Sequence, residues 1–88
     1  AYPELAQQHG VQGRVIVQFI VDANGEPRDL NILSAPEQED GVPEAARASL
    51  EEEAADAVAN MSFTPGMQDG EAVDVQMSLP VMFQLQGE

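Results

Sequence analysis

Cysteine is absent from this chain of 88 residues, and so are tryptophan and lysine. Without cysteine there are no disulfides and no thiolate metal sites, and the redox compartment stays open. The one histidine, His9, makes neither a zinc site nor a catalytic triad by itself. No apolar run approaches the ~20 residues of a membrane-crossing helix, and no secretory signal is present. Direct membrane insertion of these residues is therefore not expected, and an anchor or export signal would lie outside them. Ser34, Ser49, Ser62 and Ser78 have no GxSxG context, and neither GxGxxG nor a P-loop occurs.

Basic side chains are scarce too. Arg14, Arg28 and Arg47 face sixteen acids, for a net charge of −13. Such a chain repels phosphate backbones, so nucleic acid and anionic membranes are poor partners and no nucleic-acid partner is expected. Dense carboxylates without lysine suit a protein that works in high salt.

One domain over residues 1–88 is expected. A chain of this length buries ~60–65% of its unfolded surface, enough for one core but not for a deep, dry catalytic cavity as well. Glu51, Glu52, Glu53 and Asp56 are close in sequence, and Glu52 and Asp56 are neighbours one helical turn apart. Catalytic carboxylates need a desolvated pocket that splits their pKa values, and a solvated helix face provides none. Asp22-Ala23-Asn24-Gly25-Glu26 is similar to the start of a calcium loop but lacks its remaining ligands. Glu37, Glu39 and Asp40 could hold at most a loose cation. No catalytic residue, cofactor or resident metal is expected, and the chain reads as a binding module rather than an enzyme.

What is present is patterning. Residues 2–8 suit a short helix, with Pro3 near its start, an apolar pair in Leu5 and Ala6, and Gly10 as the stop. Residues 14–21 read as a strand with Val15, Val17, Phe19 and Val21 alternating. Asp22-Ala23-Asn24-Gly25 is a turn, and residues 26–34 return as a second strand with Leu30 and Ile32 on one face. Residues 35–42 are a polar loop containing Pro36 and Gly41. Residues 43–61 read as a helix with Ala46, Leu50, Ala54, Ala57 or Val58, and Met61 at helical spacing. Residues 67–71 are a turn with Gly70 at positive φ.

Residues 73–85 have the longest alternation in the chain. Val73, Val75, Met77, Leu79, Val81, Phe83 and Leu85 fall on one face, and Asp74, Gln76, Ser78, Pro80, Met82, Gln84 and Gln86 on the other. This predicts a long strand with one buried face, and Pro80 predicts an edge or a bulge. The element order α-β-β-α-β predicts an α+β fold, with two helices packed on one face of a three-stranded antiparallel sheet. A right-handed crossover gives the sheet order 2-1-3.

Four motifs in register resemble the TonB C-terminal domain family over nearly the whole chain. They are Tyr2-Pro3-Glu4-Leu5-Ala6; Gly13, Val15, Val17, Phe19, Val21, Asp22 and Gly25 as GxVxVxFxVDxxG; Met61-Ser62-Phe63-Thr64-Pro65-Gly66 at the helix exit; and Gly70, Val73, Pro80, Val81 and Phe83 at the close. Two departures stand out. Met61 takes the place of the usual tryptophan, and the segment 36–49 is longer than usual.

The resemblance implies a TonB/TolA C-terminal-like fold and a periplasmic location, anchored to the inner membrane by an N-terminal segment outside this chain. It implies an energy transducer that passes force from the inner-membrane proton gradient to outer-membrane TonB-dependent transporters. Its partner would be the transporter's TonB box, a short extended segment held by strand addition. The partner-binding residues implied are Val73, Asp74, Val75, Gln76, Met77, Ser78, Leu79, Val81, Met82, Phe83, Gln84 and Leu85. A homodimer through the same edge is a further expectation. The alternative is the same domain type serving as an adaptor of a membrane sensor or protease, or as a TolA-like scaffold.

Overall fold

The computed structural model describes residues 2–37 and 39–85. Gln38, in the loop expected over 35–42, and Gln86, expected on the outer face of the last strand, lie outside the described residues. The elements are α1 (Glu4–Gln8), β1 (Gly13–Val21), β2 (Pro27–Ser34), α2 (Glu44–Ala59), β3 (Gly66–Gln68), β4 (Glu71–Val73) and β5 (Val75–Phe83). Three strands form an antiparallel sheet in the order β2-β1-β5, and β3 pairs with β4 in a separate ladder.

Alternation builds the core. Val15, Val17, Phe19 and Val21 of β1 are buried, while Ile16, Gln18 and Ile20 on the opposite face are half-buried. Helix α2 buries Ala46, Leu50, Ala54 and Val58, one residue per turn, and lies over β1 and β2. Leu30, Ile32 and Phe63 close its flanks. With no disulfide, burial carries the stability, at about 1.5–3 kcal/mol for each fully buried Val, Leu or Phe. Helix α1 packs mainly on α2 and contributes Ala6, so the helical layer is less evenly spread on the sheet than the pattern suggested. It ends where Gly10 turns to φ 68°. There the Gly10 N–H donates to the Gln7 carbonyl at 3.2 Å, and the Val11 N–H to the Ala6 carbonyl at 2.9 Å.

The β1–β2 turn also fixes the chain leaving α2. The Asp22 carboxylate is buried because it accepts the N–H groups of Asn24 at 2.9 Å and Glu26 at 3.0 Å. The Gly25 carbonyl accepts the Phe63 N–H at 2.9 Å, and the Phe63 ring packs on Phe19 with centroids 5.0 Å apart.

Four features differ from the sequence reading. Helix α2 ends at Ala59, so Met61 lies past its apolar stripe and is 46% exposed. The segment read as a turn over 67–71 is the tip of a hairpin, β3–β4. Asp69 (φ 51°) and Gly70 (φ 81°) form the two-residue loop with both φ positive that matches strand twist. The single long strand expected over 73–85 is two pieces. Val73 closes β4 opposite Gly66, Asp74 lies between the strands, β5 ends at Phe83, and Gln84 and Leu85 follow it. Finally, the inner face of that strand is unevenly covered. Phe83 is buried, Leu79 and Val81 are half-buried, and Val75 and Met77 are each 36% exposed. The cause is the placement of α2 over β1 and β2, to one side of β5.

Gly25 has φ 82°, and a Cβ there would stand 2.2 Å from the Phe63 carbonyl oxygen. Gly25→Ala is expected to lower stability by about 2 kcal/mol or more, from the positive φ and the displaced turn together. Urea unfolding checks this: the midpoint falls while the slope is unchanged.

Candidate functional site

The sheet has two edges, and they are built differently. The β1–β2 pairing slips twice, between Ile16 and Val17 and between Gln18 and Ile20. Both slips place an additional residue in β2, and Asp29 at φ 55° lies within the second. Bulges of this kind bend an edge strand and spoil it as a template for another chain. The β1–β5 pairing instead runs without a slip from Gly13↔Phe83 to Val21↔Val75. Among the described residues, strand β5 has β1 on one side and no strand on the other.

The direction of each backbone group in β5 follows from the turn. The Asp22 N–H donates to Glu26, toward the β2 side. Pro27, which has no N–H to give, stands opposite Val21. The even residues of β1 therefore bond toward β2 and its odd residues toward β5, because backbone groups alternate along a strand. In β5, Val75, Met77, Leu79, Val81 and Phe83 consequently bond to β1. Gln76, Ser78, Pro80 and Met82 turn their backbone groups to the open side. Pro80 fits this position, since its missing donor is not needed by the β1 ladder. The open edge thus offers N–H and C=O from Gln76, Ser78 and Met82, and C=O alone from Pro80.

Side chains on this edge divide in the same way. Gln76, Ser78 and Met82 share the outer face with Ile20, Gln18 and Arg14, their partners across the ladder. Met82 is 58% exposed. On the helix side, α2 stops short of β5 and leaves a groove of ≈ 390 Å³ lined by Tyr2, Glu53, Ala57, Val81, Met82, Phe83 and Gln84. Its floor is fixed. The Tyr2 hydroxyl donates to the Val11 carbonyl, and its ring meets Phe83 edge-on at 5.6 Å. Burial raises the pKa of the Tyr2 phenol above its ordinary value.

Of the twelve residues implied by the resemblance, Val75, Gln76, Met77, Ser78, Leu79, Val81, Met82 and Phe83 lie in β5. Val73 belongs to β4, Asp74 to the break, and Gln84 and Leu85 to the segment beyond, where the Leu85 N–H donates to the Gln12 side chain at 2.9 Å. Sequence reasoning missed the groove, and no local signal marked Ala57 as its wall. The helical carboxylates do not converge. Glu52 and Asp56 are exposed, while Glu51 pairs with Arg47, which also reaches Glu44. Among the described residues no three acidic or histidine side chains gather as a metal site, and no helix is long and apolar enough to cross a membrane.

Comparison with known proteins agrees with this architecture. The family model for the Gram-negative bacterial TonB protein C-terminal matches residues 1–85. Protein TonB of Vibrio cholerae is 28% identical over 86 residues, covering 98% of this chain and 32% of that protein. Protein tonB2 of Pseudomonas aeruginosa is 30% identical over 84 residues, covering 96% of this chain and 28% of that protein. The chain thus spans about a third of the length of these relatives. The solution NMR structure of the Pseudomonas aeruginosa TonB CTD superimposes with a TM-score of 0.70 at 27% identity, covering all of this chain and 80% of that one.

The alternation along β5 has a direct readout. Amides of Met77, Leu79 and Val81 are expected to exchange with solvent deuterium about tenfold or more slowly than those of Gln76, Ser78 and Met82. Residue-resolved hydrogen exchange checks this, and equal protection along the strand would mean that its second side is occupied.

Proposed function

We propose, from the premise that this chain belongs to the TonB C-terminal family, that residues 1–88 are one domain forming the periplasmic end of an inner-membrane-anchored energy transducer. It acts by binding rather than by catalysis. Its ligand is the TonB box of an outer-membrane TonB-dependent transporter, taken up as an additional strand along β5. The proton motive force of the inner membrane is passed to the transporter through that strand.

The observation that carries this reading is the unbroken β1–β5 register beside an open edge. An extended peptide satisfies Gln76, Ser78 and Met82 with backbone bonds that need no particular side chain, and alternate side chains then select the partner. Pulling suits such a joint, because bonds spaced along a strand share load. Pro80 also favours a peptide over a second copy of the chain. An antiparallel pairing of two β5 edges brings two Pro80 residues to the shared edge, and so lacks two donors where a peptide complex lacks one.

Adding a TonB-box peptide to the labelled domain should shift the amides of Gln76, Ser78 and Met82 most and slow their exchange. Shifts clustered on the acidic face of α2 would defeat the strand-addition reading. Proline scanning separates the two sides of the strand. Ser78→Pro removes an open-edge donor and is expected to weaken the peptide about three- to tenfold, the worth of one net hydrogen bond, with little change in stability. Leu79→Pro removes a donor bonded to β1 and is expected to cost about 2 kcal/mol of stability instead. Calorimetry and thermal unfolding on both variants test the contrast.

A further inference from the structure

The groove beside β5 has no part in strand pairing itself, yet its position ties it to whatever strand is added there. In an added strand, residues opposite Gln76, Ser78 and Met82 exchange backbone bonds with them and project their side chains to the outer face. Residues opposite Val81 and Phe83 project to the helix side, within about 4.5–5.5 Å of the Val81 and Phe83 side chains. That is the space between β5 and α2, walled by Ala57 and Glu53 and floored by Tyr2 and Phe83. An edge of unpaired backbone admits only an extended chain, so what enters the groove is a side chain of that chain.

The walls state what kind. Tyr2, Ala57, Val81 and Phe83 present hydrocarbon. The ring pair of Tyr2 and Phe83 is already locked by the Tyr2–Val11 hydrogen bond, so the groove is formed before any ligand arrives. Glu53 stands at one wall with a partner inside the chain. Together with a net charge of −13, that carboxylate repels an acidic side chain. Ala57 keeps the groove open on the α2 side, being small and exposed while its neighbours Ala54 and Val58 turn into the core.

We infer that this groove is a specificity subsite that takes one apolar, non-acidic side chain from the strand added to β5, and that Ala57 sets its size. The inference rests on the strand-addition reading and deepens it. It assigns discrimination to the Val81–Phe83 end of the strand, while Gln76 and Ser78 contribute backbone affinity alone.

The test pairs one variant with one series of probes. Ala57→Leu changes an exposed helical position between two good helix formers, so the fold should be retained, as amide spectra of the core residues will report. The probes are the same TonB-box peptide with the residue facing the groove written as leucine, alanine or glutamate. The leucine peptide is expected to bind the native domain about tenfold or more tightly than the alanine peptide, with glutamate weakest. In Ala57→Leu the preference for leucine over alanine should collapse, while the alanine peptide binds as before. Amide shifts along β5 that are the same for all three peptides and both proteins would overturn the subsite and leave strand addition standing. No shifts along β5 with any peptide would overturn strand addition itself. A native dimer that Ala57→Leu dissociates would show the groove to be filled by a second copy, and would overturn the subsite as well. The peptide series in the native protein alone decides the matter if the variant fails to fold.

Discussion

The pairing of β1 with β5 is the constraint on which the rest of this molecule depends. β1 lies between β2 and β5 in the sheet, and its odd residues do two jobs at once. Their side chains (Val15, Val17, Phe19 and Val21) form the floor of the core under α2. Their backbone groups bond to β5. A slip of one residue between these strands would turn the apolar row of β5 to the outer face and move Pro80 into a position that needs a donor. Core and edge are thus held in one register by two independent penalties. The register in turn decides which amides of β5 are left open.

The two edges of the sheet show how differently one chain can treat the same liability. Unpaired strand edges invite association, and β2 is blunted by two bulges and by the positive φ at Asp29. β5 is left regular and interrupted only by Pro80, whose missing donor falls on the open side. A sheet that hid both edges would be better protected from self-association. One that hid neither would aggregate. Leaving one edge straight, with a proline within it, tolerates a hetero-strand better than a copy of itself, because the copy brings its own proline to the shared ladder.

Much of this was legible in the sequence, and the exceptions have physical causes. The period-two rows of β1 and β5 and the one-per-turn stripe of α2 are each long enough to average out local noise, and they gave the helices and the three-stranded sheet. The hairpin β3–β4 is not legible because three-residue strands carry too little alternation to register. Its Asp69-Gly70 dipeptide is nevertheless a hairpin signal of the same kind as Asn24-Gly25 between β1 and β2. The bulges in β2 are properties of a pairing, so no single strand encodes them visibly. Alternation along β5 reports which residues share a face and says nothing about whether a helix covers it. Met61 failed for the neighbouring reason: helical spacing continued past the point where the helix ends at Ala59. The open edge of the last strand was anticipated through Pro80 and the sheet order. The groove was not, because it arises from where α2 stops relative to β5.

That last fact bears on how, under the proposed strand addition, a module of this size could be both permissive and selective. Backbone pairing along β5 is blind to sequence, and a net charge of −13 acts at a distance that salt shortens to about 10 Å at moderate ionic strength. Neither can tell one extended peptide from another of similar charge. Discrimination must come from side chains that meet a shaped surface, and the outer face of β5 offers Gln76, Ser78 and Met82, which lie open to solvent. Only at the Val81–Phe83 end does a second layer rise beside the strand and turn an edge into a groove. The offset of α2 from β5, which leaves Val75 and Met77 partly exposed at one end, is the same offset that opens the groove at the other. Incomplete coverage of the sheet is therefore a poor use of apolar surface for stability, and a necessary one if the last strand is to accept a neighbour and also judge it.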